Sequence, residues 1–190
     1  MKNIVIFASG FGSNFQALLD ATKDGRLQGK IVGLICDKPG AYAMERARIH
    51  NIPVALIERH SFVSKHEMDG AILNQCQAWK ADWLVLAGYM RLLSSMLIRA
   101  YPRHIVNIHP SLLPKYRGLD AVGQALNEKE SIYGLTIHFV DEGMDTGEII
   151  IQVPFEVDAI DRDHIEKRLH ALEHQTYPAV INKLIMEESV

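Results

Sequence analysis

In the stretch VNIHPSLLPKYRG, Val106 to Gly118, an amide side chain and an imidazole stand two residues apart, at Asn107 and His109. Side chains of these two types do carbonyl chemistry together. The amide donates a hydrogen bond to a developing oxyanion, and the imidazole exchanges a proton at the same centre. Pro110 and Pro114 forbid a continuing helix and stiffen the loop that follows. The plainer alternative is a loop Asn that satisfies nearby backbone groups beside a surface His. A third member would tip the balance, and DEGMDTGE, Asp141 to Glu148, offers carboxylates for it. A carboxylate beside an imidazole favours the protonated ring and orients it. Asp145 is the candidate. The same four acids also read as a solvated hairpin turn, and they lack the ligand spacing of an EF-hand loop.

A second motif, ASGFGSN from Ala8 to Asn14, lies between a strand-like run and a helix-like one. Gly10 and Gly12 permit a tight turn, Ser13 and Asn14 add donors, and the start of the following helix favours an anion such as phosphate. The third glycine of a dinucleotide fingerprint is missing, as is the GK[ST] of a Walker loop. A plain glycine turn with Ser13 as helix N-cap fits the same residues. AGYMRLLS, Ala87 to Ser94, is a strand end whose backbone groups suit a flat heterocycle, with Tyr89, Met90, Leu92 and Leu93 for apolar contact or for core packing. His138, inside the apolar run TIHFV, is a weaker candidate. His50, His60, His66, His104, His164, His170 and His174 show no metal spacing and read as solvated or locally bonded, so no metal is expected.

The elements that must position these groups are legible as apolar runs at Ile4–Ala8, Ile31–Cys36, Val54–Ile57, Trp83–Ala87 and Ile105–Ile108, with helix-forming stretches between the first four. Strands without polar alternation are buried on both faces, so the expected class is α/β, a single open sheet, mostly parallel, with helices on both faces. Phe15, Leu18 and Leu19 share one helical face; Met44, Ala47 and Ile49 are expected to share another. Gly134–Val140 and Ile149–Phe155 read as two further strands joined by the acidic turn, an antiparallel extension. Asp161 to Met186 reads as a long helix that Pro178 should kink or divide. In an open sheet of this kind ligands gather beyond the carboxyl ends of the strands, which is where Asn107 falls.

Composition narrows the partners. The chain has 190 residues, 48% hydrophobic and 23% charged, with a formal net charge of -3. That suits one domain and gives no bulk attraction to nucleic acid or anionic lipid. Cys36 and Cys76 have no CxxC spacing and are expected as reduced buried thiols, which fits a cytoplasmic setting. No apolar stretch reaches the roughly 18 residues of a membrane span, and nothing at the start reads as a signal peptide.

SGFGSN, AGYMRLLS, NIHPSLLPKYRG and HFVDEGMDTGEIIIQ, in this order, closely resemble the phosphoribosylglycinamide formyltransferases, folate-dependent enzymes of purine biosynthesis. The resemblance runs along essentially the whole chain. It implies a Rossmann-like mixed sheet forming a single formyltransferase domain over residues 1–190, phosphate-binding toward its start and folate-binding toward its end. It implies 10-formyltetrahydrofolate as cosubstrate and glycinamide ribonucleotide as acceptor, with the ribonucleotide phosphate at Gly12, Ser13 and Asn14 and a further ribonucleotide contact at Glu173. Asn107 and protonated His109 would stabilise the tetrahedral intermediate, Asp145 would keep that His charged, and an ordered water would relay a proton. The folate ring would lie against Met90, Arg91, Leu92, Leu93 and Asn107, under a loop beginning at Asp141, with Lys65 toward its acidic tail. Two departures stand out. Asp120 and Val122 occupy positions where this family commonly has histidines, and Lys65 stands where it usually has Arg, which loses a bidentate fork.

The related formyltetrahydrofolate hydrolases share the Asn/His/Asp group but usually carry an extra amino-terminal domain, and methionyl-tRNA formyltransferases usually add a carboxyl-terminal RNA-binding domain. Neither is expected in a chain whose first strand starts at its second residue and which ends at Val190. A noncatalytic nucleotide-binding module leaves the His109 and Asp145 motifs without a joint purpose. The assembly is expected to be a monomer or a homodimer.

Overall fold

The computed structural model describes residues 1–157 and 161–188. Seven strands form one sheet: β1 (Asn3–Ala8), β2 (Lys30–Cys36), β3 (Val54–Leu56), β4 (Trp83–Leu86), β5 (Ile105–His109), β6 (Ile132–Phe139) and β7 (Ile149–Glu156). Their spatial order is β3-β2-β1-β4-β5-β6-β7. The first five are parallel, and β6 and β7 add on antiparallel, as the change of rhythm in the sequence predicts. From β1 the chain builds outward one way through β2 and β3, then returns to β4 and β5 on the other side. The sheet thus has its switch point between β1 and β4, where a crevice opens at the carboxyl ends of the strands.

Six helices cover the sheet: α1 (Ser13–Lys23), α2 (Tyr42–Ile49), α3 (Lys65–Ala78), α4 (Ser95–Ala100), α5 (Ala121–Asn127) and α6 (Arg162–Glu187). Two apolar clusters, one on each face, hold the layers together. Phe15 and Leu18 of α1 and Leu169 and Ile181 of α6 pack with Ile4 and Ile6 on one side. Met68 and Ile72 of α3 and Leu97 of α4 pack with Val5 and Phe7 on the other. Alternate residues of β1 therefore feed opposite cores, the reason its sequence is apolar throughout.

Two local expectations change. The buried face of α2 runs through Ala43 and Ala47, one turn apart, while Ile49 lies outside it and is exposed. Pro178 neither divides α6 nor ends it. The ring and its neighbours Tyr177, Val180 and Ile181 are buried, and that burial offsets the roughly 3 kcal/mol local cost of an internal proline. Tyr177 also ties α6 to the sheet, its hydroxyl lying 2.8 Å from the Leu86 carbonyl and 3.0 Å from that of Val106. Among the described residues no helix is long and apolar enough to cross a membrane.

Candidate active site

A cavity of about 660 Å³ occupies the crevice, lined by the residues after β1, β4 and β5, the loops at 118–122 and 141–145, and one side of α6. Asn107 and His109 reach it because both belong to the last turn of the β5 pleat. Residues two apart on a strand share a face. Asp145 arrives from the loop between β6 and β7, and the three meet. His109 Nδ1 lies 3.5 Å from Asp145 Oδ2, and Asn107 Nδ2 donates to Asp145 Oδ1 across 3.4 Å. The far side of the His109 ring is fixed by Nε2, 2.8 Å from the Tyr116 carbonyl. A ring that donates at both nitrogens satisfies both of these acceptors.

His138 completes the group. It is the direct cross-strand partner of Asn107 in the β5–β6 pair, with Nε2 3.3 Å from the Asn107 amide nitrogen and 3.6 Å from Asp145 Oδ1. Its Nδ1 sits 2.8 Å from the Phe139 carbonyl, so it donates there. Burial pushes the Asp145 carboxyl up, but the His138 ring, the Gly118 amide at 2.8 Å and the nearby His109 outweigh it. The net result is a carboxyl below the ordinary range, ionised and acceptor-only.

The loop carrying Asp145 is shaped by small residues. A side chain at Gly147 would collide with the Phe139 carbonyl oxygen, and one at Gly118, whose φ is +78°, would press on Met144. Asp145 itself sits at φ 52°, a left-handed conformation that Asp tolerates better than most. The SLLPKYRG segment is pinned from below by buried Thr136. Its hydroxyl donates to the Ser111 carbonyl at 2.6 Å and accepts from the Leu113 amide at 3.0 Å.

At the other end of the cavity, Gly12 is the left-handed N-cap of α1. A Cβ there would come 2.8 Å from that of Ala43, so only glycine fits. Ser13 is the first helical residue and supplies no cap. The residues that open α1 line the cavity, and no acidic side chain occupies the first turn to compete for its free amides. Asn14 donates from Nδ2 to Glu173 Oε2 at 2.9 Å, while its Oδ1 is buried with no hydrogen-bond partner among the described residues. Burial pushes the Glu173 carboxyl up, against the pull of Asn14 and His170.

Of the other sequence candidates, Met90, Arg91, Leu92, Leu93 and Asp141 line the cavity. Met90 and Leu92 are about half exposed; Leu93 is buried and also packs into the core. Asp141 does more than edge the cavity: its Oδ1 accepts from Thr146 Oγ1 at 2.6 Å and the Gly143 amide at 3.1 Å, which folds its loop. Lys65 is different. It begins α3, pairs with buried Asp69 at 3.0 Å and is absent from the lining. Asp120, one of the two departures, N-caps α5 and pairs with Arg162 of α6 at 2.7 Å, and Val122 is buried. His170 lines the cavity while staying exposed, stacked on His174, in keeping with a solvated or locally bonded ring. Arg162 had no sequence signal at all. Its part follows from α6 passing the cavity mouth, which only the tertiary fold sets.

Residues 2–181 match the family described as formyl transferase. A phosphoribosylglycinamide formyltransferase of Bacillus subtilis (strain 168) is 45% identical over 186 residues, 97% of this chain and 95% of that protein. The crystal structure of glycinamide ribonucleotide transformylase 1 from Geobacillus kaustophilus superposes with a TM-score of 0.94 at 45% identity, covering 97% of this chain and 98% of the other. That of phosphoribosylglycinamide formyltransferase from Bacillus halodurans gives 0.94 at 43% identity, with 97% and 95% covered. With a seven-stranded mixed sheet, a glycine-started α1 and an Asn/His/Asp group at the strand ends, this chain belongs to the formyl transferase family.

Proposed function

We propose that this chain transfers the formyl group of 10-formyltetrahydrofolate to the primary amine of glycinamide ribonucleotide, giving formylglycinamide ribonucleotide and tetrahydrofolate in de novo purine biosynthesis. The observation that carries this reading is the meeting of Asn107, His109 and Asp145 in the same cavity as the start of α1. One end suits a phosphate and the other suits a carbonyl under attack.

In this reading the ribonucleotide phosphate sits on the opening amides of α1, after Gly12 and at Ser13 and Asn14. Buried Asn14 Oδ1 and the Glu173 carboxyl accept from the donors of the sugar. The folate ring lies along Met90–Leu93 with its reactive nitrogen toward Asn107, and Asp141 anchors the loop over it. The amine nitrogen attacks the formyl carbon, and the carbonyl oxygen becomes an oxyanion. Asn107 Nδ2 and His109 Nδ1–H donate to it, the latter only loosely held by Asp145 at 3.5 Å. Asp145 stabilises the charged ring. As the intermediate collapses, the bond from the formyl carbon to the folate nitrogen breaks. That nitrogen gains a proton, the amine loses one, and a water bridges the transfer. The Lys65 assignment to the folate tail requires that side chain to leave Asp69.

Residues 1–190 act as one formyltransferase domain, as monomer or homodimer, on small-molecule substrates rather than nucleic acid. The net charge of -3 supports that choice of substrate, and two buried free cysteines suit the cytoplasm. The test is formyl transfer from 10-formyltetrahydrofolate with and without glycinamide ribonucleotide, in the native chain and in His109→Ala. Turnover that needs the amine and collapses in the variant is expected. Equal turnover with water alone would make the chain a hydrolase, and turnover with neither would leave a binding module.

A further inference from the structure

Buried Ser9 and Asp37 form with half-buried Arg91 a network that the transfer chemistry does not use. Ser9 follows β1, Asp37 follows β2 and Arg91 follows β4, three neighbouring strands of the sheet. The Met90 amide donates to Ser9 Oγ at 2.9 Å. That hydroxyl donates onward to Asp37 Oδ1 at 2.5 Å, and Arg91 Nε donates to Asp37 Oδ2 at 2.7 Å. The Ser9 amide adds a bond to the Gly88 carbonyl at 3.0 Å. Both carboxylate oxygens of Asp37 are thus used.

We infer that Asp37 is a positioning residue for the folate: it holds the Gly88–Arg91 backbone in the shape that the ring must meet. A buried carboxylate is costly unless fully paired. Ser9 and Asp37 are both buried at the tip of the sheet, where core packing would accept small apolar residues. Instead the network fixes Met90 and Arg91, the start of the edge assigned to the folate, while Met90 itself stays about half exposed and has no core to hold it. Main-chain recognition of a flat ring depends on such fixed backbone groups, and a loop free to shift by an ångström loses the contact.

This inference rests on the reading of Met90–Leu93 as the folate edge, and its test separates the two. Binding of tetrahydrofolate, the unreactive product, is measured by calorimetry for the wild type, Asp37→Asn and Ser9→Ala, alongside KM for each substrate and the thermal midpoint. In Asp37→Asn the amide nitrogen faces a donor at Arg91 or at Ser9, which breaks one arm without changing shape. Its dissociation constant and KM for the folate should rise about tenfold, with KM for the ribonucleotide within about twofold. Ser9→Ala, which releases Met90 directly, should show the same selective rise, and the double variant less than the product of the two. Should Asp37→Asn not fold, Ser9→Ala alone decides. Folate binding unchanged in the folded variants, or both KM values rising together, overturns the clasp. A wild type that binds no tetrahydrofolate overturns the folate reading and the clasp with it.

Discussion

The two ends of the cavity are made of different material. At the start of α1, the end proposed for the phosphate, the cavity offers main-chain amides placed by a left-handed glycine and a helix axis. At the ends of β5 and β6, the end proposed for the carbonyl, it offers side chains, Asn107, His109 and His138 from paired strands and Asp145 from a loop. Backbone sites need few residue identities but strict conformation, so their weak points are steric. Side-chain sites tolerate small shifts of backbone but not the loss of one functional group. The two ends should therefore fail in different ways, one through KM and stability, the other through kcat.

The largest break is expected at the side-chain end. Asn107→Ala and His109→Ala each remove a proposed donor to the oxyanion and should lower kcat by about 10²–10³-fold, with folding measured by circular dichroism unchanged. Asp145→Asn should lower kcat by a similar factor through loss of the charge that His109 faces. Its stability effect has a sign. The folded carboxyl lies below its ordinary value, so the stabilisation it gives is present above the unfolded pKa and disappears as pH falls through the folded one. Urea midpoints of Asp145→Asn and the wild type should thus differ at neutral pH and converge in strong acid; parallel curves would contradict the geometry.

The backbone end should break through Gly12→Ala. Its φ of +73° and the 2.8 Å approach to Ala43 Cβ act together. The left-handed conformation alone costs about 1–2 kcal/mol for a residue with a Cβ. A lower thermal midpoint and a higher KM for the ribonucleotide, at nearly constant kcat, are expected. If kcat fell as far as in His109→Ala, the division between the two ends would be wrong.

How far each end could be read in advance follows the same division. The glycine turn is local, and its strand-turn-helix setting was legible from residues 4–19. The Asn107-x-His109 pair was legible because residues two apart on a strand share a face, and the single strand supplies both. His138 was legible only as a possibility, because it depends on the antiparallel register that sets it opposite Asn107. Register is fixed by turn geometry and by which faces are buried, not by the local run TIHFV. Ser9 and Asp37 carried no signal for the same reason: they are neighbours only because β2, β1 and β4 are. Lys65 is the reverse case. A position matched by motif put it at the folate tail, whereas α3 gives it a buried aspartate one turn away.

Glu173 sharpens the comparison, since it brings a side chain to the end proposed for the ribonucleotide. Burial raises its carboxyl above the ordinary value. An acid raised in the folded state costs stability progressively as pH climbs from the unfolded pKa to the folded one. Glu173→Gln keeps an acceptor for Asn14 and removes that cost. It should be more stable than the wild type at neutral pH and no more stable in acid, by urea unfolding, while its KM for the ribonucleotide rises. A variant less stable at neutral pH would show that the ionised carboxylate is held by more than Asn14 and His170.

The smallest effect is expected where the chain departs from its family. Asp120 and Arg162 join the 118–122 loop to α6 across the cavity mouth at 2.7 Å, but both side chains are about half exposed, at 56% and 50%. Ion pairs in such settings contribute about 0–1 kcal/mol and weaken with salt. Asp120→Asn keeps an N-cap for α5 and removes only the charge. It should cost less than about 1 kcal/mol in dilute buffer, and the difference from wild type should shrink as salt is added. Val122, by contrast, is buried and meets the apolar cluster, so the same loop is held from below by packing. Substitution of Val122 by His would place a polar ring among those apolar side chains. The loop's residue types thus fit their neighbours here: an aspartate for Arg162 and a valine for the core. If Asp120→Asn instead altered KM strongly at constant stability, the pair would be part of the ribonucleotide site rather than a brace at its edge.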